Sequence, residues 1–406
     1  MDRFVVRDSG NNIAFSANSS SKISTGECAA AAAHAATADL LMRVIHESVE
    51  IGGATNKTCQ VSKNVELSGP RSVQYIAQYE GGYPNDIRDK AQIAATVSYI
   101  DDMNMVSDKA FVSPRYPNLF LAGGEGIGTN MGNAEGYLNG EALIDATTRK
   151  MIFETVGEIC EISDGAQLLL ITISCPEGMM IAAGATMGQT AFAGGISLTG
   201  EQSHCCALHQ RDITSSIDNQ IKRQVDLGVT SILVAPGSYC ADKINQQLHI
   251  PLTTAVYCYN YPGQAIDTCV ALGVSNVLLV GNVGKLIKLA AGITNTNSYA
   301  SDGRREIFAA HTAIVGGTAS QVRTVMNCTT CDEILTLFTN WGIRDRVMAS
   351  IMNSINEYGT LRSRGKVNLA VALFSEEFGL LGQTINTKNV LVKVSQEQFA
   401  LSLKLK

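Results

Sequence analysis

The fold is indicated most clearly by Val274–Gly292, which reads VSNVLLVGNVGKLIKLAAG. A similar segment begins 45 residues upstream of Val270. There VDLGVTSILVAPG, at Val225–Gly237, resembles VALGVSNVLLVGN, at Val270–Asn282. Both copies run from Leu-Gly-Val through a polar pair into a continuous apolar run and then to a glycine. Continuous apolar runs are typical of strands buried on both faces of a parallel sheet.

A predicted helix precedes each apolar run. These helices, Ile217–Leu227 and Ala265–Leu272, are followed by Gly228 and Gly273, and glycine is the residue that most often ends a helix. Two consecutive helix-strand units predict an α/β domain with a mostly parallel, Rossmann-like sheet. In such a sheet, ligands bind beyond the carboxyl ends of the strands.

The composition is that of an acidic globular protein with two or three domains. The chain has 406 residues, a net charge of −6 and 45% hydrophobic residues. This charge argues against nucleic acid or an anionic membrane as a general partner. No apolar run reaches the ~18 residues of a spanning helix, and the start MDRFVVRDSG lacks signal-peptide features. Eleven cysteines in such a chain favour reduced thiols and a cytoplasmic location.

We expect a flexible N-terminus at 1–20, an α+β domain at 21–163 and a Rossmann-like α/β domain with a mixed tail at 164–406. The boundary precedes the apolar run Leu168–Ser174, which is predicted as a strand of the second domain. In the first domain, Ser24 and Glu27 predict a capping box ahead of the helix Cys28–Ile45. In the tail, Val390–Val394 is predicted as a strand.

Three glycine-rich turns, at 123–128, 194–200 and 281–284, are candidates for ligand contact, because glycine permits close approach to the backbone. None matches GxGxxG or GxxxxGK[ST], which argues against ATP hydrolysis. The start of the first predicted helix adds a candidate anion site. The candidate cofactor-binding residues are Thr25, Gly26, Gly123, Gly124, Gly126, Gly194, Gly195, Ser197, Gly237, Gly281 and Gly284.

A polar segment follows Val274–Gly292 directly and is either an ordinary loop or a binding loop. Lys285 and Lys288 lie on a predicted helical turn whose N–H groups favour anions. Arg304 and Arg305 offer forked donors that match carboxylates. The candidate substrate-binding residues are Arg149, Lys285, Lys288, Asn297, Ser298, Arg304 and Arg305.

The sequence predicts no metal site and no hydrolase triad. The six histidines form no HxH or HExxH pair, and Cys328-x-x-Cys331 has no second pair of ligands nearby. There is no GxSxG.

Several short islands give a further indication, and the last of them is the most specific. They are Ser24-Thr25-Gly26-x-Cys28-Ala29, Gly123–Gly128, Gly194-Gly195-Ile196-Ser197, Pro236-Gly237-Ser238-Tyr239, and Gly281–Gly292 continued to Thr296-x-Ser298 and Asp302-x-Arg304-x-Glu306. In this order they resemble the cobalt-precorrin-5B C1-methyltransferases of anaerobic cobalamin (vitamin B12) biosynthesis. The resemblance extends over about residues 20–375.

The resemblance implies methyl transfer from S-adenosylmethionine to carbon 1 of a cobalt-precorrin-5B-type corrinoid, giving cobalt-precorrin-6A. The candidate catalytic residues are Glu125 and Asp302. For Glu125, in its glycine turn, contact with the ribose or amino group of the donor and acceptance of a proton are the alternatives. The chain departs from the family, which usually has His where Asn282 and Asn297 stand and a small residue where Glu27 stands.

The chemistry fits an enzyme that aligns its ligands and excludes water, since displacement at a sulfonium needs no metal and no protein nucleophile. The expected partner is a small-molecule corrinoid. The sequence leaves open whether the chain forms a homo-oligomer. Two alternatives remain at this point. One is a divergent or non-catalytic relative that binds a tetrapyrrole or nucleoside, and the other is a nicotinamide-dependent oxidoreductase.

Overall fold

The computed structural model describes residues 23–53, 56–80, 86–132, 136–163, 167–184, 192–200, 203–208, 210–298 and 300–404. The predicted flexible start at 1–20 lies outside these residues. The described helices include none that is long and apolar enough to span a membrane.

The first half of the chain builds an eight-stranded sheet. Its helices are α1 (Thr25–Met42), α2 (Ala146–Ser163) and α3 (Gly178–Gly184). Its strands are β1 (Ser48–Gly52), β2 (Lys57–Lys63), β3 (Ser72–Gln78), β4 (Gln92–Tyr99), β5 (Phe111–Val112), β6 (Leu119–Gly123), β7 (Thr129–Asn130), β8 (Leu169–Ser174), β9 (Phe192–Ala193) and β10 (His204–Cys205). The strand order is β10-β1-β2-β3-β4-β8-β6-β5, while β7 and β9 pair with each other.

The helix α1 is buried along almost its whole length, packed between α2 and the strands β3 and β4. Its alanines make this close packing feasible. The predicted capping box is present, because Ser24 and Glu27 exchange side-chain and backbone hydrogen bonds. The Glu27 carboxylate also pairs with Lys57 at 3.1 Å. The buried carboxylate at position 27, where the family usually has a small residue, is therefore balanced by the charge of Lys57.

The strand β8 corrects the predicted assignment of Leu168–Ser174 to the second domain. It pairs antiparallel with β4 and parallel with β6, inside the first sheet. The strand β10 closes the other edge of the same sheet against β1. A boundary near 164 would cut through this sheet, so the strand pairing favours a division after β10 instead.

The second half of the chain builds a five-stranded sheet with helices on both faces. Its strands are β11 (Ser231–Ala235), β12 (Val256–Tyr257), β13 (Asn276–Asn282), β14 (Asn368–Ser375) and β15 (Gly379–Gln383). Its helices are α4 (Gln210–Asp226), α5 (Ala241–Leu248), α6 (Pro262–Ala271), α7 (Val283–Leu286), α8 (Arg304–Ile314), α9 (Ala319–Asn327), α10 (Cys331–Asn340), α11 (Arg344–Ser363) and α12 (Thr387–Lys404). Short 3₁₀ turns occupy Met103–Met105, Leu252–Thr254 and Ile287–Ala291.

The sequence repeat forms the centre of this sheet. The order is β12-β11-β13-β14-β15, with β15 antiparallel and the other pairs parallel. The strands β11 and β13 pair in the register Ile232↔Val277 and Leu233↔Leu278. This offset equals the spacing of the repeat, so the two copies lie side by side with equivalent residues opposite each other.

The predicted tail strand Val390–Val394 is wrong, because these residues lie in α12. Val390, Val394 and Leu401 are buried at helical spacing against the sheet. The apolar residues in this segment therefore follow the helical period of 3.6, not the strand period of 2.

Candidate functional site between the two sheets

The carboxyl end of β13 opens onto a cavity of about 520 Å³, which we call the first cavity. The cap of the next turn is formed by Asn282, whose side chain accepts a hydrogen bond from the Gly284 backbone. Five predicted site residues line the cavity together: Gly284, Lys285, Asn297, Ser298 and Arg304. The sheet edge and the following polar loop therefore lie together around one cavity.

A second cavity of about 910 Å³ adjoins the first. The two have Arg115, Glu158 and Ala207 in common, so they are parts of one cleft. The second cavity is further lined by Lys150 and His204. The cleft thus lies where the helix α2 of the first half meets the sheet edge of the second half.

Lys288 holds the polar loop from inside rather than facing a ligand. Its side chain is fully buried. Its Nζ donates to the carbonyls of Thr296 and Ser301, each at 2.9 Å, and to the Ser298 hydroxyl at 3.1 Å. An ammonium group has three donors, and all are used here. In the structure the ammonium group of Lys288, predicted to contact the substrate, is directed to the polar loop.

Asp302 forms a forked hydrogen-bonded contact with Arg304. Its oxygens accept from Arg304 Nε at 2.6 Å and Nη2 at 2.9 Å. This forked contact lowers the pKa of Asp302 to about 2. A carboxylate with so low a pKa is a poor base near neutral pH, so its arrangement suits holding Arg304 at the cavity.

Arg305 points away from the cleft, because its Nη1 donates to the Met326 carbonyl at 3.2 Å. Arg149 lies over the rings of Phe111 and Tyr137, at 4.4 and 5.8 Å from their centroids. Neither arginine lines the two cavities in the described part of the chain. The structure thus separates both from the other predicted substrate ligands.

The glycine turns of the first half pack against one another. A Cβ on Gly126, which has φ +72°, would lie 1.7 Å from the Cys175 carbonyl oxygen. A Cβ on Gly195 or on Gly178 would lie 2.0 Å from the Gly126 oxygen. The space beside these glycines is therefore filled by backbone. Of the described residues, none of the predicted Gly123, Gly124, Gly126, Gly194, Gly195 and Ser197 lines either cavity.

The start of α1 is also filled. The Gly26 N–H donates to the Thr199 carbonyl at 3.0 Å, and Thr25 Oγ1 accepts from the Thr199 N–H at 3.1 Å. A Cβ on Gly26 would meet Thr148 Oγ1 at 2.1 Å. In the structure Thr25 and Gly26, predicted to contact the cofactor, contact residues of the protein itself.

Glu125 and two sheet-edge glycines complete the predicted set. The side chain of Glu125 is exposed in its turn and lines neither cavity. Gly237 is buried after β11, and a Cβ on Gly281 would lie 2.6 Å from Pro236 Cδ. Asp302, the other predicted catalytic carboxylate, also lines neither cavity.

Sequence reasoning missed the acidic wall of the cleft. Glu158 and Glu161 of α2 line the first cavity opposite Lys285 and Arg304. Partial desolvation raises the pKa of Glu158, and the neighbouring Glu161 raises it further. The spacing of these acidic residues along α2 places them on one helical face, and this periodicity is the only sequence signal that could have found them.

Two buried polar groups also face the first cavity. The Asn260 residue is only 6% exposed, and its side chain has no hydrogen-bond partner among the described residues. The Thr296 hydroxyl is buried and equally without a partner there. Buried polar groups in native proteins are normally hydrogen-bonded, so the Thr296 hydroxyl suits a polar ligand, and the Asn260 side chain lies at the same cavity. No cluster of three or more His, Cys, Asp and Glu side chains suited to a metal ion occurs among the described residues.

Comparison with known proteins gives matches in both halves of the chain. Residues 15–205 match a family model described as CbiD, and residues 295–385 match one described as CbiD, C-terminal domain. A crystal structure of the cobalamin biosynthesis protein from Archaeoglobus fulgidus is 16% identical, with a TM-score of 0.32 over 69% of this chain and 82% of that chain.

Curated relatives match over most of their length. The cobalt-precorrin-5B C(1)-methyltransferase of Ruminiclostridium cellulolyticum is 28% identical over 87% of this chain and 88% of its own. The protein of the same name from Alkaliphilus metalliredigens is 25% identical over 98% of this chain and 99% of its own. Because the two family models together match well over half of the residues, the chain belongs to the CbiD family.

Proposed function

We propose that this chain is an S-adenosylmethionine-dependent C-methyltransferase of cobalamin biosynthesis. It methylates carbon 1 of a cobalt-precorrin-5B-type corrinoid and gives cobalt-precorrin-6A. The observation that carries the proposal is the match to relatives named for this methyl transfer, over 87% and 98% of the chain. The cleft supports it, because two adjoining cavities offer room for a donor and an acceptor.

The donor supplies an electrophilic methyl group on a sulfonium when it is bound. The protein has to align the two ligands and keep water out. Lys285 donates to the Ile162 carbonyl at 3.2 Å, and Arg304 is held by Asp302. These cations are therefore fixed before a ligand arrives, which lowers the entropic cost of binding.

The residues of the first cavity fit a small polar ligand such as the donor. Unpartnered Asn260 and Thr296 offer hydrogen bonds, and both signs of charge are present. The cavity volume lies in the usual range for cofactor-sized ligands.

The acceptor is a macrocycle with several carboxylates, and we assign it to the larger second cavity. Arg115, Lys150 and His204 line that cavity. Lys150 lies 3.9 Å from Glu154, so one local carboxylate is already balanced. Glu158 also lines the second cavity, so its two carboxylates and two cations balance, and the assignment of the acceptor rests on the larger volume.

We also infer the organisation of the chain. The second half is a Rossmann-like domain, since its parallel strands carry helices on both faces, and the boundary lies between β10 and α4. The eleven cysteines are free thiols in the structure, which supports a reducing cytoplasmic location. Mass measurement in solution would distinguish a monomer from a homo-oligomer.

The test is an anaerobic incubation of the chain with S-adenosylmethionine and cobalt-precorrin-5B. We expect S-adenosylhomocysteine and a corrinoid that is heavier by one methylene unit. Binding of S-adenosylhomocysteine should also raise the melting temperature, because a ligand at 100 Kd stabilises the native state by ~2.7 kcal/mol. Stabilisation by NAD alone, without methylated product, would support the oxidoreductase and overturn this proposal.

A further inference from the structure

We propose that the first cavity binds the amino-acid end of the methyl donor. Lys285 and Arg304 take its α-carboxylate, while Glu158 and Glu161 take its α-ammonium group. This inference rests on the proposed function and deepens it, because it separates the donor site from the acceptor site. It also moves Lys285 and Arg304 from the acceptor, where the sequence places them, to the donor.

The charges on the two walls decide the assignment. Glu158 and Glu161 face the cavity from α2, while Lys285 and Arg304 face it from the second half of the chain. Arg115 also lines this cavity, so cations and carboxylates are both present around it. A purely anionic ligand would repel Glu158 and Glu161 while attracting Lys285 and Arg304. A zwitterion presents one charge to each wall, so the amino-acid end of the methyl donor matches both.

The unpartnered polar groups provide independent support. Asn260 is 6% exposed and its amide faces the cavity with no hydrogen-bond partner among the described residues. An amide carries both donors and an acceptor, so it can bind either end of an α-amino acid. The Thr296 hydroxyl beside it is buried without a partner among the described residues, and such a group gains most from a ligand that hydrogen-bonds to it.

The position of Arg304 fits the same role. Its Nε and Nη2 are fixed by Asp302, while its Nη1 lies on the Gly284 side, 4.0 Å from where a Cβ at residue 284 would stand. Gly284 lines the cavity, so the guanidinium presents this edge to it. A larger residue at position 284 would also crowd Asn282 Oδ1, which would lie 3.0 Å from its Cβ.

Calorimetric titration with two nucleosides tests the assignment. One is S-adenosylhomocysteine, which carries the amino acid, and the other is 5′-methylthioadenosine, which lacks it. We expect Glu161→Gln and Asn260→Leu each to weaken S-adenosylhomocysteine binding about tenfold or more, as for loss of one charge-assisted or buried hydrogen bond. Binding of 5′-methylthioadenosine should change less than about twofold.

Glu154→Gln is the matched control. It removes the same charge from the same helix, but Glu154 lines only the second cavity. We expect it to leave both nucleoside affinities unchanged, and circular dichroism should show that all three variants are folded. Equal losses for both nucleosides, or unchanged S-adenosylhomocysteine binding in Glu161→Gln and Asn260→Leu, would overturn the assignment alone. Failure of the unmodified protein to bind S-adenosylhomocysteine would overturn the proposed function as well.

Discussion

Replacement of Lys288 by methionine should uncouple the polar loop from the sheet edge. The buried ammonium binds two carbonyls, of Thr296 and Ser301, and the Ser298 hydroxyl. Methionine matches the length and apolar character of the lysine stem but offers no donor. The Lys288→Met variant therefore tests the hydrogen bonds with little change in volume.

The expected loss follows from the groups left behind. A buried acceptor without a partner costs about 1–3 kcal/mol. Two carbonyls would lose their partner, so the gross loss is roughly 2–6 kcal/mol. Removing a buried charge regains part of this, because burial disfavours the ammonium and lowers the pKa of Lys288. We expect a net loss of about 2–4 kcal/mol in the free energy of unfolding.

Urea denaturation followed by circular dichroism measures this loss. Lys285→Met is the control, since Lys285 is only half-buried and makes one backbone contact, to the Ile162 carbonyl, among its interactions. It should lose less than about 1 kcal/mol of stability. Both variants should bind S-adenosylhomocysteine more weakly, Lys285→Met by direct contact and Lys288→Met because Arg304 and the loop are displaced.

The opposite ranking would refute this reasoning. If Lys288→Met is as stable as the unmodified protein, its three hydrogen bonds add nothing beyond the cost of burying the charge. If stability falls but nucleoside affinity stays the same, the loop does not position the first cavity.

Three further outcomes are expected. In thermal unfolding, Gly195→Ala should lose about 2–3 kcal/mol of stability and Gly194→Ala about 1 kcal/mol. The reason is that a Cβ at residue 195 would lie 2.0 Å from the Gly126 oxygen, whereas a Cβ at residue 194 would face open space. Equal losses would contradict this. Burial lowers the pKa of His34 from 6.5 to about 3, so the unfolded chain alone gains this proton and stability should fall as the pH drops from about 6.5 towards 3. Urea midpoints of unmodified protein and His34→Asn should converge at low pH, and a constant difference would exclude this linkage. Asp302 has its pKa lowered from 3.8 to about 2, so its stabilising effect should be present above about pH 4 and disappear towards pH 2, where Asp302→Asn and unmodified protein should unfold alike in acid titration.

The second sheet was accessible from sequence because its information is local. Each copy of the repeat contains a helix, its terminal glycine and a buried strand within a short segment, and the two copies pair side by side. The capping box at Ser24 and Glu27 is equally local. The position of β8 could not be predicted from sequence, because the residues of a buried strand do not indicate which sheet the strand joins.

The same distinction applies to the cleft. Lys285, Asn297 and Arg304 lie in one contiguous segment after β13, so the sheet-edge rule brought them together. Arg115 and Glu158 come from the other half of the chain and reach the cleft only through the packing of the two halves. The glycine turns misled for a different reason, since a glycine needed for backbone packing looks the same in sequence as one that contacts a ligand.

The closing strand β10 has a consequence for synthesis of the chain. Ile51 of β1 pairs with Cys205, so one edge of the first sheet stays open until that late segment leaves the ribosome. At 5–20 residues per second the delay is roughly 8–30 s. The alanine-rich α1 also lacks its neighbour α2 until Ser163 has been added, and an open strand edge can recruit another nascent chain. This high contact order predicts slow folding, so yield during expression should depend more on translation rate and chaperone supply than on the final stability of the native protein.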